Sequence, residues 1–173
     1  YHHSLWNHSK TNVKRNRRTD SILNHEDLIT KRLPFSASGS LFRRDILEKV
    51  DGFDTNRDLE GTEDLDLYMK LYRIGIRPLQ WSKTPHTLYR TNYGMTNNLK
   101  LHGAKLFQRI KGFHEKGWIS NNSLKPANQE IWRQIARTEH KRGEFRDALK
   151  SYKKGKLTLS SIFLRLMAKS RIK

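Results

Sequence analysis

Apolar residues recur at helical spacing through most of this chain and run like strands in only a few short stretches. Ile46, Leu47 and Val50 share one face of the segment from Arg43 to Val50, with Arg43, Arg44, Glu48 and Lys49 opposite. That pattern predicts a short amphipathic helix. Asp51-Gly52 stops it, and Phe53 reads as an apolar plug behind the stop. Leu65, Leu67, Tyr68, Leu71 and Tyr72 predict a second helix. Thr62 is its expected N-cap, Glu63 and Asp64 fill its first turn, and Arg73 and Gly75 close it. Asp66 reads as a further dipole partner or a surface residue. A shorter helix is expected from His25 to Arg32, with acids early and bases late, ended by Leu33-Pro34.

Later helices are expected from Leu99 to His114, with Leu106, Ile110 and Phe113 along one face, and from Asn128 to Arg142 after Pro126. Two more follow, from Phe145 to Lys154 and from Leu157 to Met167. Strands are expected at Tyr1 to Trp6, at Thr84 to Tyr89, and at Ile76 to Trp81, where Pro78 restricts the last to an edge or a strand end. Arg142 to Gly155 has the pattern of half a tetratricopeptide-type hairpin. One copy is not an array, so it reads as a helical appendage.

Composition narrows the classes. The chain has 173 residues, 35% hydrophobic and 10% aromatic, which suits a folded core. It has no cysteine, which excludes a disulfide scaffold, a zinc ribbon and a thiol nucleophile. Its first residue is Tyr1, so the natural start is expected to lie upstream. The formal net charge is +18, which points to a polyanionic partner. The charge is uneven: acids concentrate between Asp20 and Asp66, none occurs from Leu67 to His114, and none follows Asp147. No apolar run reaches the length of a membrane span. The basic stretch around Leu157 to Met167 is compatible with an anionic membrane surface as well as with packing on its own domain.

Candidate chemistry is limited. His2, His3 and His8 match no ligand spacing and lack a completing carboxylate. The basic run Lys10 to Arg18 carries no RNA-binding signature and reads as a solvated loop. Glu63 and Asp64 stand side by side at a helix start after the polar loop Thr55 to Gly61. Acids at a helix start also serve stability alone. Gly39, in the small-residue turn Ser36 to Ser40, allows a ligand to approach the backbone closely.

The order of motifs resembles the second half of a family-2 glycosyltransferase of the GT-A fold. The segments that carry it are SASGSLFRRDILEKVDGFD, TEDLDLYMKLYRIG and YRTNYGMT, spread over Phe35 to Thr96. The resemblance implies an α/β fold: a partial, Rossmann-like GT-A domain over residues 1–98, lacking the nucleotide-binding half, with a helical tail over 99–173. It implies an inverting transfer of a hexosyl group from a nucleotide-sugar donor to a hydroxyl of a glycan or similar acceptor, in cell-surface polysaccharide or glycoconjugate assembly. Asp64 is then the general base and Glu63 its neighbour. Ser38, Gly39, Ser40, Arg90 and Asn92 are substrate-binding candidates, with Arg90 suited to donor phosphates. A divalent metal, magnesium or manganese, is implied for the complete enzyme. Its Asp-x-Asp ligands fall outside this chain, so these residues alone are expected to be inactive. Members often carry a histidine where Asn92 stands, and the Gln-x-x-Arg-Trp signature of processive synthases is missing. The implied location is cytoplasmic, with peripheral contact at the inner face of the membrane. The rival readings are a basic nucleic-acid-binding module, which lacks any specific recognition signature, and a helical interaction adaptor.

Overall fold

The computed structural model describes residues 3–7, 24–31, 37–77, 85–90, 98–155 and 158–171. The chain divides into two compact units, Tyr1–Asn97 and Asn98–Lys173.

In the first unit, β1 (His3–Asn7) and β2 (Pro85–Arg90) form a parallel two-stranded ladder. Leu5 is paired with Leu88 and Asn7 with Arg90, and the register shifts between His3 and Ser4. Parallel neighbours cannot be joined by a tight turn and need a long crossover. Here the crossover carries α1 (Asp27–Thr30), a 3-10 turn at Ala37–Gly39, α2 (Arg44–Glu48), a 3-10 turn at Arg57–Leu59, and α3 (Glu63–Arg73). The first 3-10 turn lies against β2, and α1 lies against α3.

Helix α3 is the centre of this unit. Leu65, Leu67, Tyr68, Met69, Leu71 and Tyr72 are all buried, so it is covered on most of its circumference and not along one stripe. Burying each of these large side chains is worth about 1.5–3 kcal/mol. Leu28, Ile29, Val50 and Leu59 are buried with them.

The helix ends share one device. After α3, the Ile76 N–H reaches the Leu71 carbonyl and the Gly75 N–H reaches that of Tyr72, with Gly75 at φ 81°. After α2 the same pair of bonds runs from Gly52 to Leu47 and from Asp51 to Glu48. This is the Schellman pattern, which places a left-handed residue just past the helix. At α2 that residue is Asp51, at φ 55°, a position where a side chain costs energy that glycine does not.

In the second unit, α4 (Leu99–Glu115), α5 (Asn121–Arg142), α6 (Phe145–Lys154) and α7 (Leu159–Ser170) pack in sequence, each on the next. Asn98 caps α4 by accepting from the Leu101 N–H at 3.1 Å. Thr158 and Ser161 form a reciprocal capping box at the start of α7. Gly103 brings α4 against Ile131 and Ile135 of α5. Ala136, Ala148 and Tyr152 form a buried cluster joined by Leu164 of α7. Lys100 ties α4 to Glu139 at 3.7 Å and to Asp147 at 3.4 Å.

Several expectations are corrected. The α/β, Rossmann-like GT-A domain is the largest. Such a fold needs several parallel strands with helices on both faces. The chain is predominantly helical instead, and the strands among the described residues are one short pair. The physical reason is the 3.6-residue periodicity, which shapes α3 and then α4 to α7 and takes up most of the described residues. The strand expected from Ile76 fails where it can be seen: Ile76 and Arg77 are irregular, with the Arg77 guanidinium folded back over the Tyr72 ring at 4.4 Å. The remainder, through Trp81, lies outside the described residues. Phe53 is not a plug but 41% exposed. Helix α5 begins at Asn121, not after Pro126, and holds that proline in its second turn, where only one helical bond is lost. His2, His8, the basic run Lys10 to Arg18 and the loop Thr91 to Thr96 also lie outside the described residues. No helix among the described residues is long and apolar enough to cross a membrane.

Candidate functional site

The N-terminal turn of α3 carries three acids that the fold treats differently. Glu63 turns back and accepts the Gly61 N–H through Oε2 at 2.6 Å, which fixes the chain two residues before the helix. Asp66 points into the unit, where it is 2% exposed, and pairs with Lys70 at 2.9 Å. It is therefore neither a surface residue nor a simple dipole partner. Lys70 also donates to the Gly52 carbonyl at 3.4 Å, linking α3 to the turn after α2.

Asp64 has a backbone partner, as Glu63 does, but no cation among the described residues. Its Oδ1 accepts the Leu65 N–H at 2.8 Å, and the side chain is partly buried. Burial pushes its carboxyl above the ordinary aspartate range, and the Glu63 charge adds to the rise. The backbone N–H of Leu65 opposes this without cancelling it. This is the opposite of what a helix-stabilising acid shows, since attraction to the helix terminus lowers a carboxyl pKa.

Tyr68 follows Asp64 by one helical turn, so both project from the same side of α3. Its hydroxyl meets the Ser40 Oγ at 3.1 Å, and its ring lies 6.2 Å from that of Phe42. Burial pushes the phenol upward, and the Asp64 charge raises it further, so hydroxyl and carboxylate feel one another. Tyr68 thus ties the small-residue turn to the acidic helix start. Sequence reasoning gave Tyr68 only a core role, although the four-residue spacing from Asp64 already places the two together.

The expected N-cap role of Thr62 is not fulfilled. Its side chain is buried and donates to the Leu59 carbonyl at 2.6 Å, holding the preceding 3-10 turn. The polar stretch before α3 is itself organised. Asp54 accepts the Asn56 N–H, and Asn56 accepts the Asp58 N–H, each at 3.0 Å.

Of the other candidates, Ser38 and Gly39 lie in the 3-10 turn at Ala37–Gly39, with Gly39 buried. Ser40 joins Tyr68. Arg90 is the last residue of β2, whose strand touches that turn. Asn92 lies outside the described residues. Glu63, Asp64, Ser40 and Tyr68 are thus grouped around the start of α3. The implied divalent metal takes its ligands from outside this chain, and the described residues offer it no further set. No three of their His, Asp or Glu side chains converge to hold an ion, and two of the three α3 acids are already committed to other partners.

Comparison with known protein families, curated proteins and solved structures finds no match to this chain. The resemblance to family-2 glycosyltransferases therefore rests on the motifs alone.

Proposed function

We propose that Asp64 is a general base acting on an acceptor hydroxyl, within a transferase that moves a sugar from a nucleotide-sugar donor. The observation that supports this reading is the placement of Asp64: a partly buried carboxylate at a helix start, with one oxygen on the Leu65 N–H and no cation beside it, an environment that raises its carboxyl where an acid is normally stabilised. A carboxylate of raised pKa accepts a proton more readily near neutral pH. With Oδ1 engaged by the Leu65 N–H, Oδ2 is the oxygen that takes the proton. As the hydroxyl loses it, the acceptor oxygen bonds to the anomeric carbon, the bond from that carbon to the donor phosphate breaks, and the nucleoside diphosphate leaves with the electron pair. Tyr68 serves this step as a positioning residue: it bonds Ser40 and feels the Asp64 charge.

Turnover of a panel of nucleotide sugars by the natural protein, with Asp64→Asn beside the wild type, tests the proposal. A positioned base is worth about 100- to 10,000-fold in rate. The expected result is a kcat loss of that size with donor affinity unchanged. Near-normal turnover by Asp64→Asn overturns it.

A further inference from the structure

Helix α7 is apolar on the side that faces away from its own unit. Its inward side is made by Ser161 and Ala168, both buried, by Leu164 against the Ala136, Ala148 and Tyr152 cluster, and by Arg165, which donates to the Tyr152 carbonyl. On the opposite side Leu159, Ile162, Phe163 and Leu166 are 88%, 40%, 61% and 63% exposed. Their spacing of three, four and seven residues makes one continuous stripe. A surface helix ordinarily turns polar residues outward, so a stripe of four large apolar side chains in water marks a contact surface.

The surrounding charge says what kind of surface covers it. Helix α7 contains no acid, and none occurs anywhere after Asp147. Lys153 and Lys154 end α6, with Lys154 over the Trp132 ring, while Lys169 lies in the last turn of α7 and Arg171 follows it, over the Phe145 ring. A second copy of this chain would bring two such acid-free, cationic regions together, in a molecule whose formal net charge is already +18. Nucleic acid would satisfy the cations and leave the stripe without a partner. An anionic lipid surface satisfies both, with acyl chains taking the stripe and headgroups taking the lysines and arginines. We infer that α7 docks the protein peripherally on an anionic membrane, lying in the plane of the interface.

Sedimentation of the full chain with phosphatidylcholine vesicles, with and without about 30% phosphatidylglycerol, tests this. Binding is expected to the anionic vesicles and to weaken as salt is raised. Phe163→Glu/Leu166→Glu changes only exposed positions, so the fold persists, as circular dichroism will show. That variant is expected to lower the vesicle partition coefficient at least about tenfold. Leu41→Glu, an equally exposed apolar site in the first unit, is expected to leave it unchanged. Absence of binding to anionic vesicles overturns the inference, as does binding that the α7 variant does not weaken. A self-association abolished by the same variant, without vesicle binding, assigns the stripe to a second copy instead.

Discussion

Replacing Asp64 by asparagine separates an acid retained for chemistry from one retained for helix stability. The change is nearly isosteric, and the asparagine carbonyl still accepts the Leu65 N–H that Asp64 receives at 2.8 Å. Only the charge is lost. If the carboxylate served the helix terminus, its removal would destabilise the first unit by about 0.3–1 kcal/mol. Burial and the Glu63 charge act the other way, since both raise the Asp64 carboxyl. Each pKa unit of such a rise is about 1.4 kcal/mol of penalty on the charged form. The two readings therefore differ in sign. The pH dependence follows from proton counting. Between the ordinary aspartate value and the raised one, the folded chain keeps a proton that the unfolded chain has released. Wild-type stability then falls as pH rises through that window, and stays lowered above it. Asp64→Asn has no such dependence. It is expected to be more stable than wild type at pH 7–8, by a gap that closes below about pH 4. Hydrogen exchange at the α3 amides reads this unit directly. A loss of α3 protection in Asp64→Asn at neutral pH would refute the argument and return Asp64 to the role of an ordinary helix-start acid.

Four further substitutions test the packing. Lys70→Met leaves Asp66 buried without its cation and is expected to cost about 3–5 kcal/mol in urea unfolding; Asp66→Asn/Lys70→Met should recover much of that, because no uncompensated charge remains. Asp51→Gly places glycine at the left-handed position after α2 and is expected to stabilise the first unit by about 0.5–1 kcal/mol, measured by the same unfolding. Gly155→Ala should destabilise the second unit by about 1–3 kcal/mol, because its Cβ would lie 3.0 Å from the Arg133 backbone nitrogen and 3.2 Å from its Cα, and α5 backbone cannot yield as a side chain does; an unchanged thermal midpoint would refute that.

What the sequence makes legible here is local. Helix α6 runs from Phe145 to Lys154 as its periodicity predicts, and α3 ends where Arg73 and Gly75 predict. Both signals lie within a few residues of the structure they specify, a capping glycine or an apolar face. The two paired strands were also visible as short strand-like runs, but the larger sheet inferred around them was not a local signal. It came from a family likeness, and the helical character of the chain overturns it. At the site, the acidic helix start was legible, while the sorting of its three acids was not. Lys70 reaching the Gly52 carbonyl and Ser40 meeting Tyr68 depend on how segments 18 and 28 residues apart come together. Alternation and capping rules carry no information on such contacts.

That sorting is what gives the site its meaning. Glu63, Asp64 and Asp66 look equivalent in sequence, and each would be ascribed to the helix dipole. In the fold, Asp66 is committed to Lys70, Glu63 holds the Gly61 N–H, and Asp64 holds the Leu65 N–H while its carboxyl is raised by burial. No cation among the described residues offsets the burial of Asp64, whose opposing influences are backbone N–H groups alone. A lysine within reach would have lowered its pKa and made it a better structural acid and a poorer base. Lys70 is close by in sequence, but it stands four residues after Asp66 and six after Asp64. At about 100° of rotation per residue, a four-residue step stacks two side chains on one face, while a six-residue step carries them well round the helix from one another. The helical repeat therefore delivers Lys70 to Asp66. The position four residues after Asp64 is held by Tyr68 instead, a neutral phenol that offers no charge to neutralise the carboxylate beside it.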